Sequence, residues 1–214
     1  KMKETIEVNL KYEHEVFVRK GNNAKKCFVL LHGYLLNAEY IYNKLLPIIN
    51  QNDLVIAPNR PFLIPVKKNE TYTPKYSWYF FDPNINTFYI NFEPASKYVS
   101  EIINHYNTEN LPVTIIGYSQ GGYLSPRIAE ENKSINNVIG LACIFRNKKF
   151  EYRTGVKYHQ IHGEDDIIVQ QEEALTEWNI LKSSGNSGDF ISLNKSGHRI
   201  DVAYLDNLKL LIQL

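Results

Sequence analysis

What most restricts the fold of this chain is a series of short, largely apolar runs: "CFVLL" (27–31), "DLVIAP" (53–58), "VTIIG" (113–117), "NVIGLAC" (137–143) and "KYHQIHG" (157–163). A strand with one wet face alternates apolar and polar residues. Runs without that alternation need cover on both faces, as in a parallel sheet flanked by helices. Between them lie stretches with helical spacing: "AEYIYNKLLPIIN", "ASKYVSEIINHYN", "GGYLSPRIAEEN", "QEEALTEWNILKSS" and "IDVAYLDNLKLLIQ". In the last, Ile200, Tyr204, Leu208 and Leu211 share one stripe. "GDFISL" reads as a weaker final strand, and the period-two segments "TIEVNL" and "HEVFVRK" as an N-terminal antiparallel hairpin. Strands joined through helices of this length imply right-handed crossovers and a three-layer α/β/α sandwich with a mostly parallel sheet.

A length of 214 residues suits one core, so a single domain is expected over residues 1–214. Residues 60–92 break the pattern, packing prolines and aromatics into a connection longer than a compact fold keeps without a use. The segment leaves the carboxyl end of "LVIAP", where α/β sheets bind ligands, and is read as a pocket-lining excursion. With 24 basic and 23 acidic residues the chain lacks the cationic excess that nucleic-acid backbones require. No apolar stretch is long enough to span a bilayer and the N-terminal residues lack a signal-peptide core, so a cytoplasmic protein with no stable membrane insertion is expected. Cys27 and Cys143 each lie in an apolar run and read as buried free thiols.

The hexapeptide "GYSQGG" (117–122) sits where a buried strand meets a helix. In G-x-S-x-G the glycines let strand and helix approach closely, while the serine is held in a strained backbone with its hydroxyl presented to solvent. Ser119 is therefore a candidate nucleophile, with a turn or helix-cap serine as the plain alternative. The N–H of Gln120, at the helix start, would point at a developing oxyanion.

A serine hydroxyl needs a base, and the base an orienting acid. Downstream, "HGEDDIIV" ends a strand with His162 and Gly163 and continues into Glu164, Asp165 and Asp166. "SGHRI" then places His198 between the last strand and the last helix. The order serine, acid, histidine, with separations of 47 and 32 residues to Asp166 and His198, fits the α/β-hydrolase arrangement. Among the six histidines, His14, His105 and His159 lie within predicted elements, and His32 and His162 at strand ends suited to shaping loops. His198 remains as the base. The loop after "CFVLL", His32-Gly33-Tyr34, would supply the second oxyanion donor, assigned to Tyr34 with Leu35 as the nearest alternative.

With "LHGY", "GYSQGG", "HGEDDIIV" and "GHRI" in place, the sequence resembles the α/β-hydrolase superfamily, and within it the phospholipase/carboxylesterase group that includes acyl-protein thioesterases. The resemblance runs from about residue 26 to the C-terminus. It implies no separate cap domain, and its H-G-x-x-D-x-x-V pattern selects Asp166 over Asp165. Two positions depart from the group's usual pattern. Leu35 and Leu36 stand where a second glycine is common, and "SWYFFDP" separates Trp78 from Asp82 by three aromatics.

The expectation is an esterase or thioesterase working through Ser119, His198 and Asp166, with Tyr34 and Gln120 as oxyanion donors and no metal or organic cofactor. Leu35, Trp78, Phe80 and Phe81 are candidate contacts for a small-molecule or lipid-like acyl ester. The aromatics of residues 62–92, Phe62 and Tyr72 among them, favour an apolar group over a sugar. Two alternatives stay open: a noncatalytic hydrolase-like binding protein, and an amide or peptide hydrolase using the same triad. Sequence leaves the oligomeric state undetermined.

Overall fold

The computed structural model describes residues 13–59, 61–82, 87–89, 91–147 and 152–213, with the backbone alone for 81, 82 and 87–89. Among the described residues, seven strands form the central sheet: β1 (Val16–Arg19), β2 (Cys27–Leu31), β3 (Leu54–Pro58), β8 (Val113–Tyr118), β9 (Ile135–Leu141), β10 (Lys157–Gly163) and β11 (Phe190–Leu193). Their spatial order is β1-β3-β2-β8-β9-β10-β11, parallel throughout except for β1, which runs antiparallel to β3 with Val16 opposite Pro58. The expected first arm of the N-terminal hairpin, "TIEVNL", lies outside the described residues.

The sheet is covered on both faces because successive side chains of each buried strand point opposite ways. Cys27, Val29 and Leu31 of β2 pack with α2 (Glu93–Tyr106) and α3 (Gln120–Glu131), through residues such as Val99, Ile103, Leu124 and Ile128. Phe28 and Leu30 face the other layer, where Ile41 and Leu45 of α1 (Ala38–Leu45) meet Tyr204, Leu208 and Leu211 of α5 (Val202–Gln213). A further helix, α4 (Gln171–Ser183), buries Leu181 against the first of these layers. The helical pattern after residue 38 is cut short at Leu45 and passes into a 3₁₀ turn over Leu46–Ile48, where Pro47 brings no N–H.

The aromatic, proline-rich excursion contains two small antiparallel ribbons, β4 (Phe62–Lys68) with β5 (Thr71–Ser77), and β6 (Phe80–Asp82) with β7 (Thr87–Tyr89). Its prolines argue against strand structure in sequence, yet Pro65 lies directly opposite Pro74 in the register. A facing pair that exchanges no hydrogen bonds tolerates two residues without N–H groups. Among the described residues no cap domain stands over the sheet, and no helix is long and apolar enough to cross a membrane.

Candidate active site

The sheet order reverses direction between β2 and β8, and the loops leaving the carboxyl ends of these two strands bound a crevice of the kind in which α/β proteins hold ligands. Between β8 and α3 sits Ser119, with φ 49° and ψ −116°. A serine in this sparsely populated region stores about 1–3 kcal/mol of strain. It is held there by its N–H on the Leu141 carbonyl (2.8 Å) and its own carbonyl on the Tyr123 N–H (3.1 Å). The turn demands its glycines. A Cβ on Gly117 would stand 2.4 Å from Ser125 Oγ, and one on Gly121 would stand 2.7 Å from the His32 carbonyl oxygen.

Ser119 Oγ lies 3.1 Å from His198 Nε2, and His198 Nδ1 lies 2.8 Å from Asp166 Oδ2. Three loops from three strand ends thus meet in one hydrogen-bonded chain. Asp166 is buried, whereas Asp165 is exposed, which separates the two candidate acids. The other carboxylate oxygen, Oδ1, accepts the N–H groups of Ile168 and Val169, both at 2.9 Å. His162 is fully buried, places Nε2 2.8 Å from the Val169 carbonyl and 3.3 Å from Asp166 Oδ2, and so helps to hold the acid's turn. Burial depresses its pKa and keeps it neutral, so Nε2 carries the proton donated to that carbonyl.

The loop carrying His198 is tied to this turn through backbone and tyrosine. The Asp165 N–H donates to the Ser196 carbonyl (2.9 Å). Tyr204, from α5, accepts the Gly163 N–H (2.8 Å) and donates to the Gly197 carbonyl (3.2 Å). Burial raises the Tyr204 pKa, so the neutral hydroxyl that this double role needs is maintained. Tyr118, the residue before the serine, donates to the His198 carbonyl (3.1 Å), and burial pushes its pKa up to about 12.

Beside the serine and the histidine is a cavity of about 540 Å³ whose wall includes Ser119, His198, Gly33 and Tyr34. Gln120 also lines it, and as the first residue of α3 its N–H has no acceptor within the helix. Leu35 is placed differently. Its N–H is bonded to the Tyr76 carbonyl (3.0 Å), which removes it as an oxyanion donor, and Leu36 rather than Leu35 lines the cavity. Leu35 adopts a left-handed φ of 57° where a glycine would be relaxed.

The candidate substrate contacts divide similarly. Trp78 is fully buried behind the cavity wall, and Phe80 is half exposed with its ring 4.2 Å from that of Phe62. Neither lines the cavity, and the side chain of Phe81 lies outside the described residues. The wall is instead completed by Tyr79, Tyr118, Tyr123, Ile168, Val169 and Arg146. Tyr118 and Tyr123 flank the serine by one residue and by one helical turn, and Ile168 and Val169 lie two and three residues after the acid, so proximity to the motifs was a usable signal. Arg146, whose guanidinium pairs with Glu173, follows the end of β9 without any motif to mark it. Among the described residues, no three His, Cys, Asp or Glu side chains cluster as a metal would require.

The architecture recurs in solved structures. Acyl-protein thioesterase 2 from Zea mays superposes with a TM-score of 0.74 at 18% identity, covering 94% of this chain and 98% of that one. A Bacillus cereus carboxylesterase gives 0.74 at 15% identity over 94% and 93%. Arabidopsis thaliana SOBER1 gives 0.70 at 22% identity over 89% and 98%. At such identities the likeness establishes the fold. Comparison with curated protein sequences found no match. The family signal comes from the sequence itself, since the profile of one family fits residues 12–214, elbow, acid turn and histidine loop included: the chain belongs to the phospholipase/carboxylesterase family.

Proposed function

We propose that this protein is a serine hydrolase that cleaves carboxylic ester or thioester bonds through an acyl-enzyme. The observation that carries the reading is the chain of hydrogen-bond distances from Ser119 Oγ through His198 to Asp166, at the wall of an open cavity. His198 Nε2 takes the proton as Ser119 Oγ attacks the carbonyl carbon, then returns it to the departing alcohol or thiol as the tetrahedral intermediate collapses. Water, activated by the same nitrogen, attacks the acyl-serine and releases the acid. Asp166 fixes the His198 tautomer with the proton on Nδ1 and stabilises the imidazolium. The Tyr34 and Gln120 N–H groups receive the oxyanion.

The cavity favours an apolar acyl group of modest size. Leu36, Ile168 and Val169 offer aliphatic surface, and the raised pKa values of Tyr118 and Tyr123 keep both phenols uncharged. The one cation on the wall, Arg146 among the described residues, is already paired with Glu173. The intact hydrogen-bond chain favours turnover over a binding-only role. The test is hydrolysis of p-nitrophenyl esters from acetate to long acyl chains, with Ser119→Ala alongside. The reading expects turnover with a chain-length optimum, abolished in the variant. Equal activity in Ser119→Ala, or no ester turned over at all, would overturn it.

A further inference from the structure

The two proposed oxyanion donors belong to separate segments, Tyr34 to the loop after β2 and Gln120 to the start of α3. Backbone geometry within either segment does not set the distance between them. A third segment touches both, and it is the one whose sequence looked least regular, residues 76–79.

Tyr76 forms a two-way backbone bridge to the first loop, accepting the Leu35 N–H (3.0 Å) and donating to the Leu36 carbonyl (3.1 Å). Trp78 reaches both sides. Its indole N–H donates to the His32 carbonyl (2.8 Å), and its ring stacks on the His32 imidazole at 4.8 Å and 29°. Its backbone N–H donates to Gln120 Oε1 (2.9 Å). The Gln120 amide then donates from Nε2 to Ser77 Oγ (2.9 Å) and to the Tyr79 carbonyl (3.1 Å). Gln120 and Trp78 are both buried, so these bonds operate without competing water. The His32 carbonyl also packs closely on the elbow, since a Cβ on Gly121 would stand 2.7 Å from that oxygen.

We propose that Trp78 is a positioning residue that sets the separation of the Tyr34 and Gln120 N–H groups, and with it the fit of the oxyanion hole to the transition state. The inference rests on the catalytic reading above. In the same segment, the bridge from Tyr76 holds Leu35 in a left-handed conformation that a glycine would adopt unaided.

The test uses Trp78→Phe, which keeps an aromatic ring on His32 and loses the indole N–H, and Gln120→Met, which keeps the backbone donor and loses the side-chain amide. Each full-length protein is assayed for kcat and KM on p-nitrophenyl butyrate, for the inhibition constant of an aryl trifluoromethyl ketone, whose serine adduct places an oxyanion in the hole, and for the pH profile of kcat/KM. Deleting an oxyanion donor outright lowers kcat by about 10²–10³-fold, so displacing one should lower kcat/KM by at least about tenfold. Ketone affinity should fall in parallel, with the acid limb of the pH profile held because the His198–Asp166 pair is not touched, and with KM held in Trp78→Phe because Trp78 does not line the cavity.

A fall in melting temperature with kcat/KM and ketone affinity within about twofold of the unmodified protein would reduce Trp78 to core packing and overturn the proposal. A shifted acid limb would place the effect on His198 and overturn it equally. If Trp78→Phe does not fold, Gln120→Met decides by the same criteria. Failure of the unmodified protein to turn over esters through Ser119 refutes the catalytic reading and this inference together. Normal serine-dependent turnover with unaffected variants refutes this inference alone.

Discussion

Acidification is expected to unfold this protein partly through a histidine outside the triad. His32 is fully buried, and burial holds its pKa down from 6.5 to about 4 against the opposing effect of the bond to the Gly33 carbonyl. At neutral pH the ring is uncharged. Nδ1–H donates to that carbonyl at 2.8 Å, and Nε2 is left as a buried lone pair without a hydrogen-bond partner. In the unfolded chain the same ring takes a proton near 6.5, in the folded one only near 4. Between those values the unfolded state binds more protons, so stability rises with pH. The contribution is fully present above about pH 6.5 and is lost as the pH falls toward 4.

A depression of this size has a ceiling of about 3 kcal/mol, of which about 2 kcal/mol is felt at pH 5. The lowered pKa values of His159 and His162, also caused chiefly by burial, act with the same sign. Comparison with a variant therefore isolates His32. In His32→Asn the amide nitrogen takes the place of Nδ1 and keeps the donor to Gly33 without a titrating ring. Urea unfolding at pH 7 and pH 5 should show the unmodified protein losing about 2 kcal/mol more than the variant. An equal loss in both would refute the argument that His32 is buried neutral.

Asp166→Asn should lower kcat by about 10³–10⁴-fold with the circular-dichroism signal retained, because an amide cannot accept the Ile168 and Val169 N–H groups and also hold the His198 tautomer. Steady-state kinetics check it, and near-normal kcat would remove Asp166 from the site. Gly121→Ala forces a methyl onto the His32 carbonyl and the Leu31 side chain at 2.7 Å, and should destabilise by about 1–3 kcal/mol in urea while impairing turnover. Unchanged stability would mean that elbow and loop have more room than their packing implies. Cys27 and Cys143 should stay unlabelled by Ellman's reagent in the native protein and react after denaturation, since both are buried and burial pushes the Cys27 thiol up to about 12 and Cys143 higher. Rapid native labelling would contradict that burial.

Sequence by itself determined the layered sheet, because an unbroken run such as "CFVLL" has no stable place except between two apolar layers. It also marked the serine elbow. Gly117 and Gly121 are required where a Cβ would collide with neighbouring atoms, and such a requirement shows in the one-dimensional string. Asp166 and His198 were legible as candidates because each lies in a loop that follows a strand of the sheet, and loops at the carboxyl ends of parallel strands gather on one side.

The excursion was where reading failed to anticipate placement. Trp78 and Phe80 looked like substrate contacts because large aromatics serve equally as pocket walls and as core. Which of the two they become depends on neighbours distant in sequence: His32 and Gln120 for Trp78, Phe62 for Phe80. The left-handed Leu35 was equally hidden, since its conformation is supported by Tyr76 rather than by its own side chain. Local chemistry and periodicity are written along the chain. The choice of which groups face the cavity was made only by tertiary packing, because a side chain's exposure belongs to its three-dimensional neighbours and not to its position in sequence.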